Sequence, residues 1–311
     1  MSSTTLPTFR VLAGVSRWPF LSLTALCVAV AAAAVFAQHG RFDVPALLLV
    51  LVAAALAHVS VNAFNEYRDF HSGLDLITER TPMSGGSGTL PAYPAAARHA
   101  LVFALFCLLG SVLLGLYLAS QKDWRLLFPG FLGVVLVCTY TPWLNRSAWL
   151  CLLAPGLGFG PVITLGAYWV LGGQQTGMAW LLSLVVGLLA SSLLLLNQFP
   201  DVEADRQVGR AHFPIRYGLP VSARLFAVLQ LMVPMTLLLG LVAGALPVSV
   251  WAVGLLSIIA LPGLLGRVIR AAGDDARLVE TMAANLRYTL MLLIALALAL
   301  VLAPLTRLAV S

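Results

Sequence analysis

Residues 45–75 read PALLLVLVAAALAHVSVNAFNEYRDFHSGLD. The first two thirds of the stretch contains no Asp, Glu, Lys or Arg, whereas the last third carries Glu66, Arg68, Asp69 and Asp75. About twenty apolar residues in a helix cross a bilayer core of about 30 Å. The passage therefore reads as a membrane helix whose end is crowded with acids. Asn65 and Asp69 are four apart and share one helical face. Beyond them Gly73 lets the chain turn back, so that Asp75 approaches the pair.

The remainder of the chain is equally apolar: 60% of the 311 residues are hydrophobic and 10% charged. Soluble domains carry about a quarter charged residues, so an ordinary soluble domain is excluded and one membrane-embedded domain, 1–311, is expected. The basic start, with Arg10 and Arg17, resembles a signal peptide, but no small-residue cleavage site follows and the run reads as a retained helix. Cys27, Cys107, Cys138 and Cys151 are scattered singly and read as core residues.

Apolar runs near spanning length fall at 19–38, 45–67, 97–119, 126–143, 149–171, 178–199, 221–244, 248–267 and 284–306. The fold class expected is all-α: a polytopic membrane protein with nine transmembrane helices around a central cavity. Fourteen of the eighteen Lys and Arg then lie on one side, leaving only Arg41, Lys122, Arg125 and Arg307 opposite. The positive-inside rule makes the basic side, with the N-terminus, cytoplasmic, and an odd number of spans puts the C-terminus on the other side. Ten of the twelve acids share the basic side, a bias that topology alone does not impose.

The acids fall into two similar motifs. In NQFPDVEADRQVGR, Asn197, Asp201 and Asp205 are spaced by fours and Gly209 follows, repeating the arrangement of Asn65, Asp69 and Asp75. The copies sit four helices apart at like-facing ends, which reads as a parallel four-helix internal repeat with its site at the interface. So many carboxylates at close quarters repel one another. Mg2+, which takes oxygen ligands from one or two carboxylates together with substrate phosphates, accounts for the pairing, and the lack of a His or Cys cluster argues against zinc. Asp69, Asp75, Asp201 and Asp205 are the expected metal ligands. Arg68, Arg80, Arg146, Arg206 and Arg210 are candidate diphosphate contacts, since Arg grips phosphate bidentately. The loop RTPMSGGSGTLP (80–91) lacks a P-loop's GK[ST] ending and reads as a flap over the acidic cavity. Pro200 is expected to end the sixth helix before Asp201.

On these residues the chain resembles the UbiA superfamily of intramembrane prenyltransferases. NEYRDFHSGLD is similar to its first aspartate motif in the NDxxDxxxGxD form of 1,4-dihydroxy-2-naphthoate prenyltransferases, and NQFPDVEADRQVGR to the second, NxxxDxxxDxxxGK. YTPWLNRSAWL and GFGPVITLGAYWVLGG resemble two further stretches of that branch. The chain departs from the pattern at Glu66, Gln198, Pro200, Arg210, Ser147 and Trp149. The resemblance implies nine helices around a lipid-open cavity. It makes Asn65, Asp69, Asp75, Asn197, Asp201 and Asp205 the catalytic, magnesium- and diphosphate-binding residues.

The implied reaction is Mg2+-dependent transfer of a polyprenyl group from its diphosphate to an aromatic ring carbon, in a quinone-forming route of the inner membrane. The acceptor it favours is 1,4-dihydroxy-2-naphthoate, with 4-hydroxybenzoate, homogentisate and a lipid alcohol as alternatives. Expected partners are the prenyl diphosphate, the acceptor and the lipid bilayer, with no nucleic acid. Tyr140, Phe159, Tyr168 and Trp169 are candidates to face an allylic cation, although lipid or helix packing is the commoner role for any one of them. His58, inside the second helix, reads as a core or cavity residue, and His71 as a possible proton acceptor. A transporter would also carry intramembrane acids and a repeat but would place ionisable residues at mid-membrane. A structural subunit would need no magnesium, and the DGxxAR signature of phosphatidyl-group transferases is absent.

Overall fold

A computed structural model describes residues 8–174, 176–271 and 275–308. Asp274 and the side chain of Arg307 lie outside the described residues. The chain begins with α1 (Thr8–Ser16), α2 (Leu21–His39), α3 (Val44–His71), the single turns α4 (Leu74–Ile77) and α5 (Thr89–Ala92), α6 (Ala97–Gln121) and α7 (Leu127–Thr139). Next come α8 (Ala148–Leu157), a π-helical segment (Gly158–Leu165) and α9 (Gly166–Val170), which together form one continuous rod. Then follow α10 (Gly177–Asn197), α11 (Val202–Gln207), α12 (Phe213–Tyr217), α13 (Leu219–Val242), α14 (Trp251–Ala271) and α15 (Asp275–Leu308). Among the described residues every regular element is helical.

Eight of these helical stretches are long and apolar enough to cross a membrane. The shorter apolar helix Trp124–Thr139 stands where the sequence places the fourth crossing. The bundle closes on itself: α3 lies along α6, the α8–α9 rod against α10, α10 against α13, α13 against α14, α14 against α15, and α15 against α2, which returns to α3. Its outer surface is a belt of exposed apolar side chains, including Phe106, Leu113, Leu239 and Ile259, the surface a lipid solvent selects.

Two features of the helices position the site. First, α3 is long. Asp43 caps it by accepting the Ala46 N–H (3.0 Å), and at that end Lys122 pairs with Asp43 at 2.6 Å. Its 28 residues span about 42 Å at 1.5 Å per residue, more than the hydrocarbon core requires, so its last turns carry Asn65 and Asp69 beyond it. Second, the α8–α9 rod meets α10 through small residues. A Cβ on Gly156 would lie 3.0 Å from the Gly187 carbonyl oxygen, and one on Gly160 would strike the Ser183 carbonyl. Backbones approach this closely in membranes only where side chains are small. The π-helical segment, with its i→i+5 register, follows at that contact.

Residues 8–16, unassigned from sequence, form the separate helix α1. Val11 and Val15 pack with Ala63 of α3, Leu90 of α5 and Ala100 of α6. Arg17 then takes a left-handed conformation (φ 49°) that breaks α1 from α2. Cys27, Cys107 and Cys151 are buried, as expected of core residues, whereas Cys138 is exposed.

Candidate functional site

The end of α3 and the end of α10 are built alike. Gly73 adopts φ 79° after α3, a conformation favourable only to glycine, and the reversal returns Asp75, at the start of α4, beneath Asp69. On the other side α10 stops at Asn197, before Pro200, and α11 begins just after Asp201. Gly209 (φ 78°) ends α11 and turns Arg210 back, its N–H donating to the Asp205 carbonyl at 3.1 Å. Because the C-terminal ends of α3 and α10 meet at one place, the two helices run in the same direction.

Arg210 joins the two motifs. Its Nη1 donates to Asp205 Oδ1 at 2.9 Å, and its Nη2 to Asp69 Oδ1. Asp205 Oδ2 is engaged by His212 Nε2 at 2.8 Å. Asp69, Asp75, Asp205 and His212 are all buried. Asn65 Nδ2 donates to Thr141 Oγ1 at 3.4 Å.

The glycine-rich loop closes over this cluster. Ser87 donates its N–H to Glu66 Oε1 (2.8 Å) and its hydroxyl to Glu66 Oε2 (2.6 Å), while Arg17 Nε lies 3.9 Å from Glu66 Oε1. Glu66, a departure from the resembled motif, thus ties loop 80–91 to α3. Gly86 lies so near Asp75 that a Cβ would sit 2.8 Å from Asp75 Oδ1.

Beneath the polar cluster lies a cavity of roughly 290 Å³. Its head is lined by Asn65, Asp69, Asp75, Asn197, Asp201, Asp205, Arg210, His212 and Arg17, with Ser84, Gly85 and Gly86 of the loop. Its body is apolar, formed by Leu136, Val137, Val162, Ile163 and Leu193 among others. His58 lines it while bonding Thr24 Oγ1 through Nδ1 (2.7 Å), with Phe159 edge-on at 5.3 Å.

All six Asn and Asp residues expected at the site line this one cavity, as does Arg210. The other arginines fall elsewhere. Arg68 precedes Asp69 by one position and so points about 100° away around the helix, onto an exposed face. Arg146 is exposed in a tight turn, and Arg206 pairs with Glu203 on the surface of α11 at 3.2 Å. Arg80, also exposed, reaches the Asp75 carbonyl at 3.4 Å. Of the aromatic candidates, Tyr140 and Phe159 line the cavity. Tyr168 is buried elsewhere with its hydroxyl on Gln38 (2.6 Å), and Trp169 packs on Trp180. His71 is exposed, bonded to its own helix at the Tyr67 carbonyl (2.9 Å).

Arg17, Glu66 and His212 escape sequence reading as site residues. Arg17 looks like one more topological charge, Glu66 like a substitution, and His212 lies past the end of the second motif. The one available signal is that His212 follows Arg210 by two positions in a charged loop.

The electrostatics are those of a site wanting a cation. Burial, reinforced by Glu66 and Asp69 and opposed by Arg80 and Arg210, raises Asp75 to about 7. Burial and Asp205, opposed by Arg210, raise Asp201 to about 7. Asp75 Oδ2, Asp201 Oδ1 and Asn197 Oδ1 are buried without a hydrogen-bond partner. Three orphaned oxygens, from both motifs, form a donor set that fits magnesium. Among the described residues no three His, Cys, Asp or Glu side chains converge closely enough to hold a metal alone, consistent with an ion completed by ligand phosphates and water.

A multi-pass helical bundle with an acid-rimmed, apolar-bodied cavity at one end defines the class: a polytopic α-helical membrane protein with an internal binding site. The model of the UbiA prenyltransferase family matches residues 24–286, and the chain belongs to that family. It is similar to 1,4-dihydroxy-2-naphthoate octaprenyltransferase of Bacillus subtilis (strain 168), 26% identical over 209 residues, 66% of each chain. It is likewise similar to the enzyme of that name from Escherichia coli (strain K12), 26% identical over 203 residues, 62% of this chain and 64% of that one. The chain thus spans just under two thirds of the length of these curated relatives. A UbiA homolog from Archaeoglobus fulgidus, solved bound to DMAPP and Mg2+, shares the fold with a TM-score of 0.66 at 13% identity, over 94% of this chain and 98% of that one.

Proposed function

We propose that the protein transfers a polyprenyl group from its diphosphate to 1,4-dihydroxy-2-naphthoate, with the reaction face on the cytoplasmic side of the cell membrane. The observation that carries the reading is the convergence of two acidic motifs, from α3 and α10, on one buried head group site above an apolar cavity. The names of the curated relatives support the choice of acceptor, and the archaeal homolog's ligands support the choice of diphosphate and metal.

Asp69, Asp75, Asp201 and Asp205, with Asn65 and Asn197, would hold magnesium together with the diphosphate. Bound there, the metal supplies positive charge to the leaving group. Arg210 keeps Asp69 and Asp205 in register and adds a fixed positive charge, and Arg17 contributes another at the rim. Charge so placed before reaction favours scission of the allylic C–O bond. Leu136, Val162 and Ile163 enclose the tail and exclude water, so that the cation is captured by the acceptor ring rather than by water, and the attacked ring carbon then gives up its proton, for which the released diphosphate is a ready base. Tyr140 and Phe159 present ring faces to it. Loop 80–91, tied down through Glu66, covers the head.

The test is product formation by the purified protein with magnesium, geranylgeranyl diphosphate and a panel of 1,4-dihydroxy-2-naphthoate, 4-hydroxybenzoate and homogentisate, read by mass spectrometry. Prenylated naphthoate is expected. Prenylation of another member instead would replace the acceptor while keeping the chemistry, and movement of a solute without consumption of prenyl diphosphate would replace the whole reading with a transporter.

A further inference from the structure

His212 is the one buried residue of the site whose second polar atom has no assigned use. It is 1% exposed and lines the cavity head. It follows Arg210 and Ala211, whose N–H is fixed by the Asn145 carbonyl at 3.0 Å, so the segment is anchored against the 140–147 turn. The ring bonds Asp205 Oδ2 through Nε2 at 2.8 Å, and Nδ1 is buried with no protein partner.

The chemistry of the pair assigns the proton. A carboxylate only accepts hydrogen bonds, and Asp205 already takes Arg210's hydrogen on Oδ1. Nε2 must therefore carry the hydrogen, and with the ring neutral Nδ1 is a bare lone pair. Such an atom, left dry and unpaired, costs free energy. Its natural partner is a donor, and an ionised diphosphate has none. A phenolic hydroxyl does.

Resting on the prenyl-transfer reading above, we infer that His212 Nδ1 accepts a hydrogen bond from a hydroxyl of the aromatic acceptor, making His212 a specificity-determining residue. Asp205 orients the ring. The diphosphate and the acceptor are thereby held on opposite sides of the same carboxylate, one toward Arg210 and the other toward His212. The role needs only a hydrogen-bond acceptor, with no change in protonation.

Two substitutions separate the two ring nitrogens. His212→Gln can place its amide near Nε2 and keep the bond to Asp205 while removing Nδ1. His212→Asn places its amide near Nδ1 and gives up the bond to Asp205. The experiment measures binding of 1,4-dihydroxy-2-naphthoate, 1-hydroxy-2-naphthoate and 4-hydroxy-2-naphthoate to the full-length protein. Magnesium and unreactive geranylgeranyl thiolodiphosphate are present throughout. The wild type is expected to prefer the dihydroxy compound over one monohydroxy analogue by roughly tenfold or more, the loss that follows when a buried acceptor goes unpaired. His212→Gln should abolish that preference and leave thiolodiphosphate affinity within about twofold, while His212→Asn should retain most of the preference.

Preference retained in His212→Gln overturns the inference, as does preference lost in His212→Asn alone. So does a matching fall in thiolodiphosphate affinity in His212→Gln, which would mean that Nδ1 faces phosphate. A wild-type protein that binds the thiolodiphosphate but no hydroxylated naphthoate overturns the naphthoate reading itself, and is recognised without either variant.

Discussion

At the scale of single residues, the site buries acids whose mutual repulsion a bound cation would relieve. Asp75 and Asp201 are raised to about 7 in the fold, chiefly by burial, against an ordinary value of about 4 in the unfolded chain. The sign follows. Between those values the folded protein holds protons that the unfolded chain has lost, so the groups favour folding fully below about pH 4, and their contribution disappears as pH rises through about 7. The metal-free protein is therefore expected to melt at a lower temperature at pH 8 than at pH 5.5, and Asp201→Asn should flatten that slope. Magnesium with geranylgeranyl thiolodiphosphate should restore the wild type at pH 8 but not the variant. Thermal unfolding across pH checks this, and a variant with the wild-type slope would show that Asp201 is not one of the strained groups.

At the scale of elements, the motifs were legible and their connections were not. Spacing by fours places Asn65 with Asp69, and Gly73 announces the reversal that returns Asp75, whereas the turn at Gly209 that returns Arg210 emerges only in the fold. Pro200 announced the break before Asp201. No spacing rule relates Glu66 to Ser87, because the bond depends on how loop 80–91 folds back, and none relates His212 to Asp205, because Arg210 must first turn under Gly209. The π-helical segment was equally hidden, since its apolar sequence suits an α-helix. The Glu66 latch makes its own prediction. Ser87→Ala removes the 2.6 Å bond to Glu66 Oε2, which is expected to speed amide exchange in residues 80–91 by roughly tenfold, the worth of one such bond. Exchange mass spectrometry would read it, and a change spread across the bundle rather than confined to the loop would refute the latch.

At the scale of the whole molecule, length and charge carried most of the information. Apolar runs place the crossings to within about four residues, except that the last begins eight residues earlier than expected, at Ala276, and the helix at 124–139, shorter than the sequence suggests, still occupies its place. The separate helix α1 was obscured by the apolar run that follows it. Charge asymmetry also gives the orientation its basis: the site lies at the basic end, while Asp43 and Lys122 pair at the other end of α3 and α6. A cysteine introduced in loop 80–91 is expected to react with an impermeant maleimide only when the cytoplasmic side is opened. Labelling in intact cells would invert the topology.

The proposed function requires that the two motifs form one metal-dependent diphosphate site. It is tested most directly by titrating geranylgeranyl thiolodiphosphate into the purified protein with and without magnesium, for the wild type, Asp69→Asn and Asp201→Asn. Binding is expected to require magnesium and to be lost on changing either motif. Binding that ignores the metal, or that survives both substitutions in folded protein, would contradict it.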